Sequence, residues 1–348
     1  MAVREAASFQ AQVVQGTLAA VAVATSLEDE IESRIATGLT PVAREAPRAR
    51  VWAVGGGKGG VGKSLISANF ALSLARRGKK VLAVDLDLGG ANLHTCLGIE
   101  PPKRGLGDWA TGRVTEVEEL FVNSEPGLRI LSGSNDALTV IHRMEGRRDE
   151  FWESLRRLEA DEIILDLGAG TSDFTIDFFN RADEGIVSIL PEPTSVENAY
   201  RFVRAVIFRR LRNAEVPPGI REVVDAATDQ KNILGIKTPM ELLAVVERLD
   251  AVAAQDLRAR LEEIHLNVVM NQVRSPIDID VGRAICSVCK RYFGLDVNYA
   301  GYLDYDNTVW KAIREKKPVV RDFPHSILAN RLDRLARTLL GEQKGLFP

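Results

Sequence analysis

What this 348-residue chain lacks narrows its reading first. Three cysteines cannot build a disulfide framework, which leads us to expect a protein of the reducing cytoplasm. Two of them, Cys286 and Cys289, form a C-x-x-C. No second pair or histidine stands at metal spacing, so they read as packing thiols rather than zinc or redox ligands. No apolar run approaches the ~20 residues that a membrane-crossing helix needs. The stretch AQVVQGTLAAVAVA, residues 11–24, has Arg4 before it and an Ala-x-Ala close, but its small residues make a poor signal-peptide core. A large charge of one sign is missing too: the net charge of −3 argues against a wholesale nucleic-acid coat and leaves only local basic patches open. No internal repeat is found. A hydrophobic share of 45% with 27% charged residues is ordinary for an α/β chain able to bury a large core.

What is present begins with glycine. Val51-Trp52-Ala53-Val54 is a short apolar run that stops at glycines, and Ser64 to Arg77 carries apolar residues at helical spacing, so the segment reads strand, loop, helix. Between them Gly57-Lys58-Gly59-Gly60-Val61-Gly62-Lys63-Ser64 fits G-x-x-x-x-G-K-[ST]. Glycines let successive N–H groups point at phosphate oxygens, and the helix N-terminus behind them adds partial positive charge. Lys63 is expected to reach the β- and γ-phosphates and Ser64 to complete a Mg²⁺ shell. Lys58 is a second lysine that such a loop does not require.

Further strands are expected at 81–86, 128–132, 162–167, 185–190, 264–271 and 295–303, with helices between them. Near-continuous apolar strands alternating with helices imply an α/β fold, a mostly parallel, doubly wound sheet covered on both faces. Its ligand belongs at the carboxyl ends of the strands. VLAVDLDLGGANL puts Asp85 at one such end and Asp87 just beyond; EIILDLGAGTSD puts Asp166 at another, before Gly168 and Gly170. One carboxylate there can hold Mg²⁺ through its waters and another can orient a water attacking the γ-phosphate. Residues 1–50 read as an extension and linker, 51–340 as one domain, 213–262 as an insertion within it, and 341–348 as a tail.

The loop with its extra lysine resembles the deviant Walker A motif of the MinD/ParA family of P-loop ATPases, in the SIMIBI class, and VDLDLGGANL and DLGAG resemble that family's two switch regions. PEPTSVENAY (191–200) and GYLDYDNTVWKAIREKKPVV (301–320) are similar to its FlhG-like, or FleN-like, branch, the MinD-like regulators of flagellar number and placement. The resemblance implies an ATP-sandwich homodimer in which Lys58 contacts the phosphates bound by the other subunit. It implies Asp87 as the catalytic aspartate, Ser64 and Asp166 as magnesium positions, and Asn271 as the adenine-reading residue. Gly57, Lys58, Gly59, Gly60, Val61, Gly62, Lys63, Ser64 and Leu65 are then the ATP-binding loop, with Lys58, Lys63 and Asp87 its catalytic set and ATP and Mg²⁺ the cofactors.

The sequence also departs from that pattern. Leu65 replaces the usual second hydroxyl, so one α-phosphate contact is missing. FQAQVVQ (9–15) only faintly echoes the FlhG activator motif D-Q-A-x-x-L-R, which stimulates a partner GTPase: Gln10 and Ala11 match, and both charged ends are gone. RFVRAVIFRRLRN (201–213) puts five arginines on one helix, a solvated face or a DNA contact of ParA type. The last helix carries Leu332, Leu335, Leu339 and Leu340 on one face, which either covers the sheet or targets a membrane. A protein partner on the insertion, peripheral membrane binding and non-specific DNA binding are therefore the competing expectations, with a metabolic ligase on the same phosphate loop a further alternative that no substrate motif supports.

Overall fold

The computed structural model describes residues 48–133, 137–229 and 234–343, the side chains of 137–139 excepted. The expectations placed on 1–47, including the activator echo, and on the end of the tail lie outside the described residues. Eight strands form one sheet: β1 (Arg50–Gly55), β2 (Val81–Leu86), β3 (Val122–Glu125), β4 (Leu128–Leu131), β5 (Glu162–Leu167), β6 (Glu184–Ile189), β7 (Leu266–Val273) and β8 (Val297–Asp304). Their order is β3-β4-β2-β5-β1-β6-β7-β8, parallel except for the β3–β4 pair. All six residues of β2 and of β5 are buried, as strands covered on both faces must be.

Seven of these strands correspond to the expected runs, β2 and β5 at the expected bounds and the others with ends displaced by one or two residues. The eighth, β3, has the sequence VNSE and is half-exposed at the sheet edge. An edge strand needs no apolar run, so periodicity does not announce it.

One face of the sheet carries helices Arg148–Arg157, Asp173–Arg181 and Pro193–Arg212, and the other carries helices Lys63–Ala75 and Ile327–Leu339. Every residue of Lys63–Ala75 except Ser64 is buried, so this helix is enclosed all round rather than amphipathic. Ile327–Leu339 encloses it. Leu328, Leu332, Leu335 and Leu339 are buried in the same core as Phe70 and Leu74, and Arg77 pairs with Asp333 at 2.6 Å. The leucine face is thus consumed as cover for the sheet. Among the described residues no helix is long and apolar enough to cross a membrane.

The segment expected as an insertion folds into helices Pro218–Thr228, Pro239–Leu249 and Ala251–Glu262. Prolines open the first two, and Thr238 and Asp250 cap the second and third through their side chains. All three pack on Pro193–Arg212. That helix buries Phe202, Val203, Val206 and Ile207, and each of its five arginines is engaged. Arg201 pairs with Glu197, Arg209 with Asp173 and Asp177, Arg210 with Glu263 and Arg212 with Asp225, while Arg204 donates to the Lys237 carbonyl. Four of these guanidiniums fasten neighbouring elements, and Arg201 pairs within its own helix, so the five do not form a free basic stripe.

Because Leu332 is a core side chain, Leu332→Ala should lower stability by about 2–5 kcal/mol, read from chemical denaturation. An unchanged unfolding midpoint would mean that the face is free for another surface.

Candidate functional site

The loop after β1 is shaped by what presses on it. A Cβ on Gly57 would lie 2.1 Å from the Asn198 carbonyl oxygen, so the backbone passes directly against helix Pro193–Arg212. At Gly62 φ is +92°, and a Cβ there would meet the Asn271 Nδ2 at 2.2 Å. The carbonyl of Val61 accepts from Ser188 Oγ at 2.7 Å and from Asn271 Nδ2 at 2.9 Å. These two bonds tie the loop to β6 and β7. Directly afterwards helix Lys63–Ala75 begins, and its first N–H groups have no carbonyl one turn back to donate to.

Buried charge gathers in front of that helix. Lys63 is buried; loss of water lowers its pKa, while Asp166 and Asp87 pull it back up. Asp166 Oδ1 accepts from Ser67 Oγ at 2.9 Å, and its Oδ2 is buried with no hydrogen-bond partner. Asp85 lies directly opposite Asp166 in the β2–β5 register. Its two oxygens accept from the backbone N–H of Asp87 at 3.1 Å and of Leu93 at 3.0 Å, so it fixes the turn that carries Asp87. Burial, and then the Asp166 charge, push the Asp85 carboxyl up to about 8. Burial raises Asp166 as well, with Ser64, Ser67 and Lys63 holding it back.

The orphaned Oδ2 of Asp166 beside the Ser64 hydroxyl is a hard oxygen donor set that fits Mg²⁺. Among the described residues no three acidic, histidine or cysteine side chains cluster as a metal cage. Asp87 lies where the two switch-like segments meet: Cβ atoms added to Gly90 and to Gly168 would each stand 3.5 Å from its carboxylate. The N–H of Gly170 donates to the Gly56 carbonyl at 3.2 Å, joining the second segment to the loop.

A cavity of about 520 Å³ runs from Gly60, Lys63, Ser64 and Leu65 past Asp87 and Cys96 to Gln272, Tyr305 and Trp310. The volume suits one small ligand. A larger groove of about 690 Å³ lies at the opposite, amino ends of the strands, between Arg50, Glu184 and His265. It holds no phosphate loop, and its central charges, Arg50 and Glu184, already pair at 2.5 Å.

The expected site residues divide by position. Lys63, Ser64, Leu65, Asp87, Gly59, Gly60, Gly62 and Asn271 line the cavity; Asp166 lies buried behind it; Gly57 and Val61 shape the loop from outside. Lys58 points away, its Nζ 2.9 Å from Glu192 Oε2 and 3.3 Å from Thr194 Oγ1. Asn271 spends its amide nitrogen on Val61 and its oxygen on the Gln272 N–H at 2.8 Å. Sequence reasoning missed Cys96, Tyr305 and Trp310. Only the quoted stretch 301–320 signalled the last two, and it drew attention for its likeness to a family branch, not for its place in the fold.

Residues 52–319 match the CobQ/CobB/MinD/ParA nucleotide binding domain. The chain belongs to that family. Its members of MinD/ParA type are nucleotide-binding ATPases. The chain is similar to the antiactivator FleN of Pseudomonas aeruginosa, 25% identical over 280 residues, which is 80% of this chain and 81% of that protein. It is also similar to the flagellum site-determining protein YlxH of Helicobacter pylori, 36% identical over 155 residues, 44% of this chain and 52% of that protein. Among solved structures the septum site-determining protein MinD of Pyrococcus horikoshii, complexed with Mg-ADP, superposes with a TM-score of 0.58 at 23% identity. The match covers 84% of this chain and 96% of that one and is a likeness of fold.

Asp85 supplies a pH test. Its folded pKa is raised, so the stability it contributes is full below the unfolded value of about 4 and is lost as pH rises through about 8. In urea unfolding, the stability of the parent relative to Asp85→Asn should therefore fall across that window. Parallel pH profiles would show that Asp85 carries no raised pKa.

Proposed function

We propose that this chain is an ATP-hydrolysing switch of MinD type that dimerises around ATP and regulates the placement or number of a cellular structure. The name of the similar flagellum site-determining protein YlxH points to flagella as that structure. The observation that carries the reading is the division of labour between two lysines. Lys63 sits buried in its own crevice, whereas Lys58 is held outside it by Glu192 and Thr194, available to a second copy.

In this reading the loop N–H groups and Lys63 hold the ATP phosphates, and Ser64 and Asp166 hold Mg²⁺, which supplies positive charge to the β- and γ-phosphates. Asp87 orients the attacking water. Gly90 and Gly168 leave room beside it for that water and for the switch segments to move when the γ-phosphate departs. Lys58 exchanges Glu192 for the phosphates of the facing subunit, where it offsets charge that develops in the transition state.

The chain then works in the cytoplasm or peripherally at a membrane or cell pole, through a protein partner. The buried leucine face of the last helix weighs against that helix as a membrane anchor, and the engaged arginines of Pro193–Arg212 weigh against a ParA-like hold on DNA. Liposome sedimentation and DNA mobility, each with and without ATP, separate these readings.

Lys58→Ala should bind ATP as a monomer with nearly parental affinity yet fail to dimerise with a non-hydrolysable analogue, read as molecular mass in solution. A parental dimer fraction would remove Lys58 from the subunit interface.

Asp87→Ala should keep nucleotide affinity and accumulate as the ATP-bound dimer, with turnover reduced roughly 10- to 100-fold, about 1.4–2.7 kcal/mol of transition-state stabilisation. Steady-state ATPase and dimer fraction on one preparation check this. Parental turnover would exclude Asp87 from the chemistry, and joint loss of turnover and dimer would make its role structural.

A further inference from the structure

We infer that Trp310 is the base-stacking residue of the crevice, closing it over a flat aromatic base and thereby favouring purine nucleotides. The inference rests on the nucleotide reading above and assigns the end of the cavity that the phosphates leave free.

Four tryptophans occur in the chain. Trp52, Trp109 and Trp152 are 0%, 1% and 8% exposed, whereas Trp310 is 65% exposed and lines the cavity. Leaving the largest apolar side chain in water forgoes the free energy that the other three gain by burial. Its neighbours repeat the pattern: Tyr305 and Ile313, 51% and 47% exposed, line the same end, with Val309 beside them. Tyr305, Val309, Trp310 and Ile313 give that wall an aromatic and aliphatic surface beside the polar Asp304, Asp306 and Asn307, while the far end presents Lys63 and Ser64. A ligand matched to both ends has polyanionic and flat apolar parts, which is the chemistry of a nucleotide.

The wall is held in place. Asp306 caps helix Asn307–Glu315 by accepting from the Thr308 N–H at 2.7 Å, which fixes where Trp310 emerges one turn later. The Arg314 guanidinium stands 5.0 Å from the Trp310 ring, and that of Arg274 stands 4.1 Å from Tyr305. Asn271, meanwhile, has an amide N–H and its oxygen occupied by Val61 and Gln272, so it offers a base less than a free amide would. The area that a base can cover lies at the rim. A purine covers more of an indole than a pyrimidine does, which gives the selectivity.

Trp310 is the one tryptophan more than a tenth exposed, so iodide quenching of tryptophan fluorescence reports chiefly on it. Mg-ADP, which in the proposed cycle leaves the chain monomeric, should protect it from iodide; inorganic tripolyphosphate should bind the loop without protecting. Trp310→Ala should weaken ADP binding about tenfold, the scale of one base–aromatic stack, and leave tripolyphosphate affinity unchanged, while Trp310→Phe retains most of the ADP affinity. Parental ADP affinity in Trp310→Ala, or iodide quenching undiminished with ADP bound, overturns the inference. So does protection that appears only with a non-hydrolysable ATP analogue at dimer mass, which would make Trp310 a subunit contact. Binding of neither ADP nor tripolyphosphate would overturn the phosphate-loop reading as well, and that failure is recognisable because it removes both ligands.

Discussion

One carbonyl oxygen, that of Val61, organises the crevice. It accepts from Ser188 on β6 and from Asn271 on β7, so a loop that leaves β1 is fastened by the next two strands of the sheet. With that oxygen turned into the protein, the chain must reverse through Gly62 at positive φ before the helix can start. The reversal sets the helix axis against the crevice and carries Lys63 into it. Asn271 fills the space that a side chain at residue 62 would need, so loop, strand and glycine constrain one another.

The same placement concentrates buried titratable groups whose ionisation burial opposes. Parallel pairing of β2 with β5 sets Asp85 beside Asp166, both buried, and neither has a full cationic partner of its own. Lys63 is near enough to stabilise Asp166 and Asp87, but it is itself desolvated. Backbone N–H groups satisfy Asp85, whereas one oxygen of Asp166 is left over. Buried groups with unmet electrostatic demand mark functional crevices more often than structural ones, because a ligand can meet the demand. A divalent cation with its phosphates would meet this one.

How much of this was legible in the sequence follows from the range of each signal. The strand–loop–helix around Lys63 and the aspartates at strand ends are local patterns, and the sheet brings together what they promised. The enclosure of helix Lys63–Ala75 was not legible, since burial on its second side depends on a helix more than 250 positions later. The arginines of Pro193–Arg212 look like a basic stripe until Asp173, Asp177, Asp225 and Glu263 arrive from three other helices and loops. Trp310 and Tyr305 escaped for a related reason. An aromatic residue in a helix, as Trp310 is, or just past a strand, as Tyr305 is, does not by its local pattern show whether it is core, and only tertiary placement leaves these two at the rim.

Lys58 joins the site to the rest of the molecule. Its partners Glu192 and Thr194 lie at the start of helix Pro193–Arg212, and Gly57 touches the same helix one turn on, at Asn198. That helix in turn supports all three helices of the segment 213–262. The loop is therefore linked, through that helix, to the segment 213–262, which reads from sequence as an insertion. Such contact couples two sites only if they prefer different states of the element between them. An exposed ion pair such as Lys58–Glu192 is worth little by itself, on the order of 1 kcal/mol or less. In the proposed dimer, a phosphate group offered to Lys58 would compete with Glu192 for it. The pair is thus weak enough to open when a better anion appears and specific enough to set where the lysine waits, and both are properties that a nucleotide-dependent switch requires at that position.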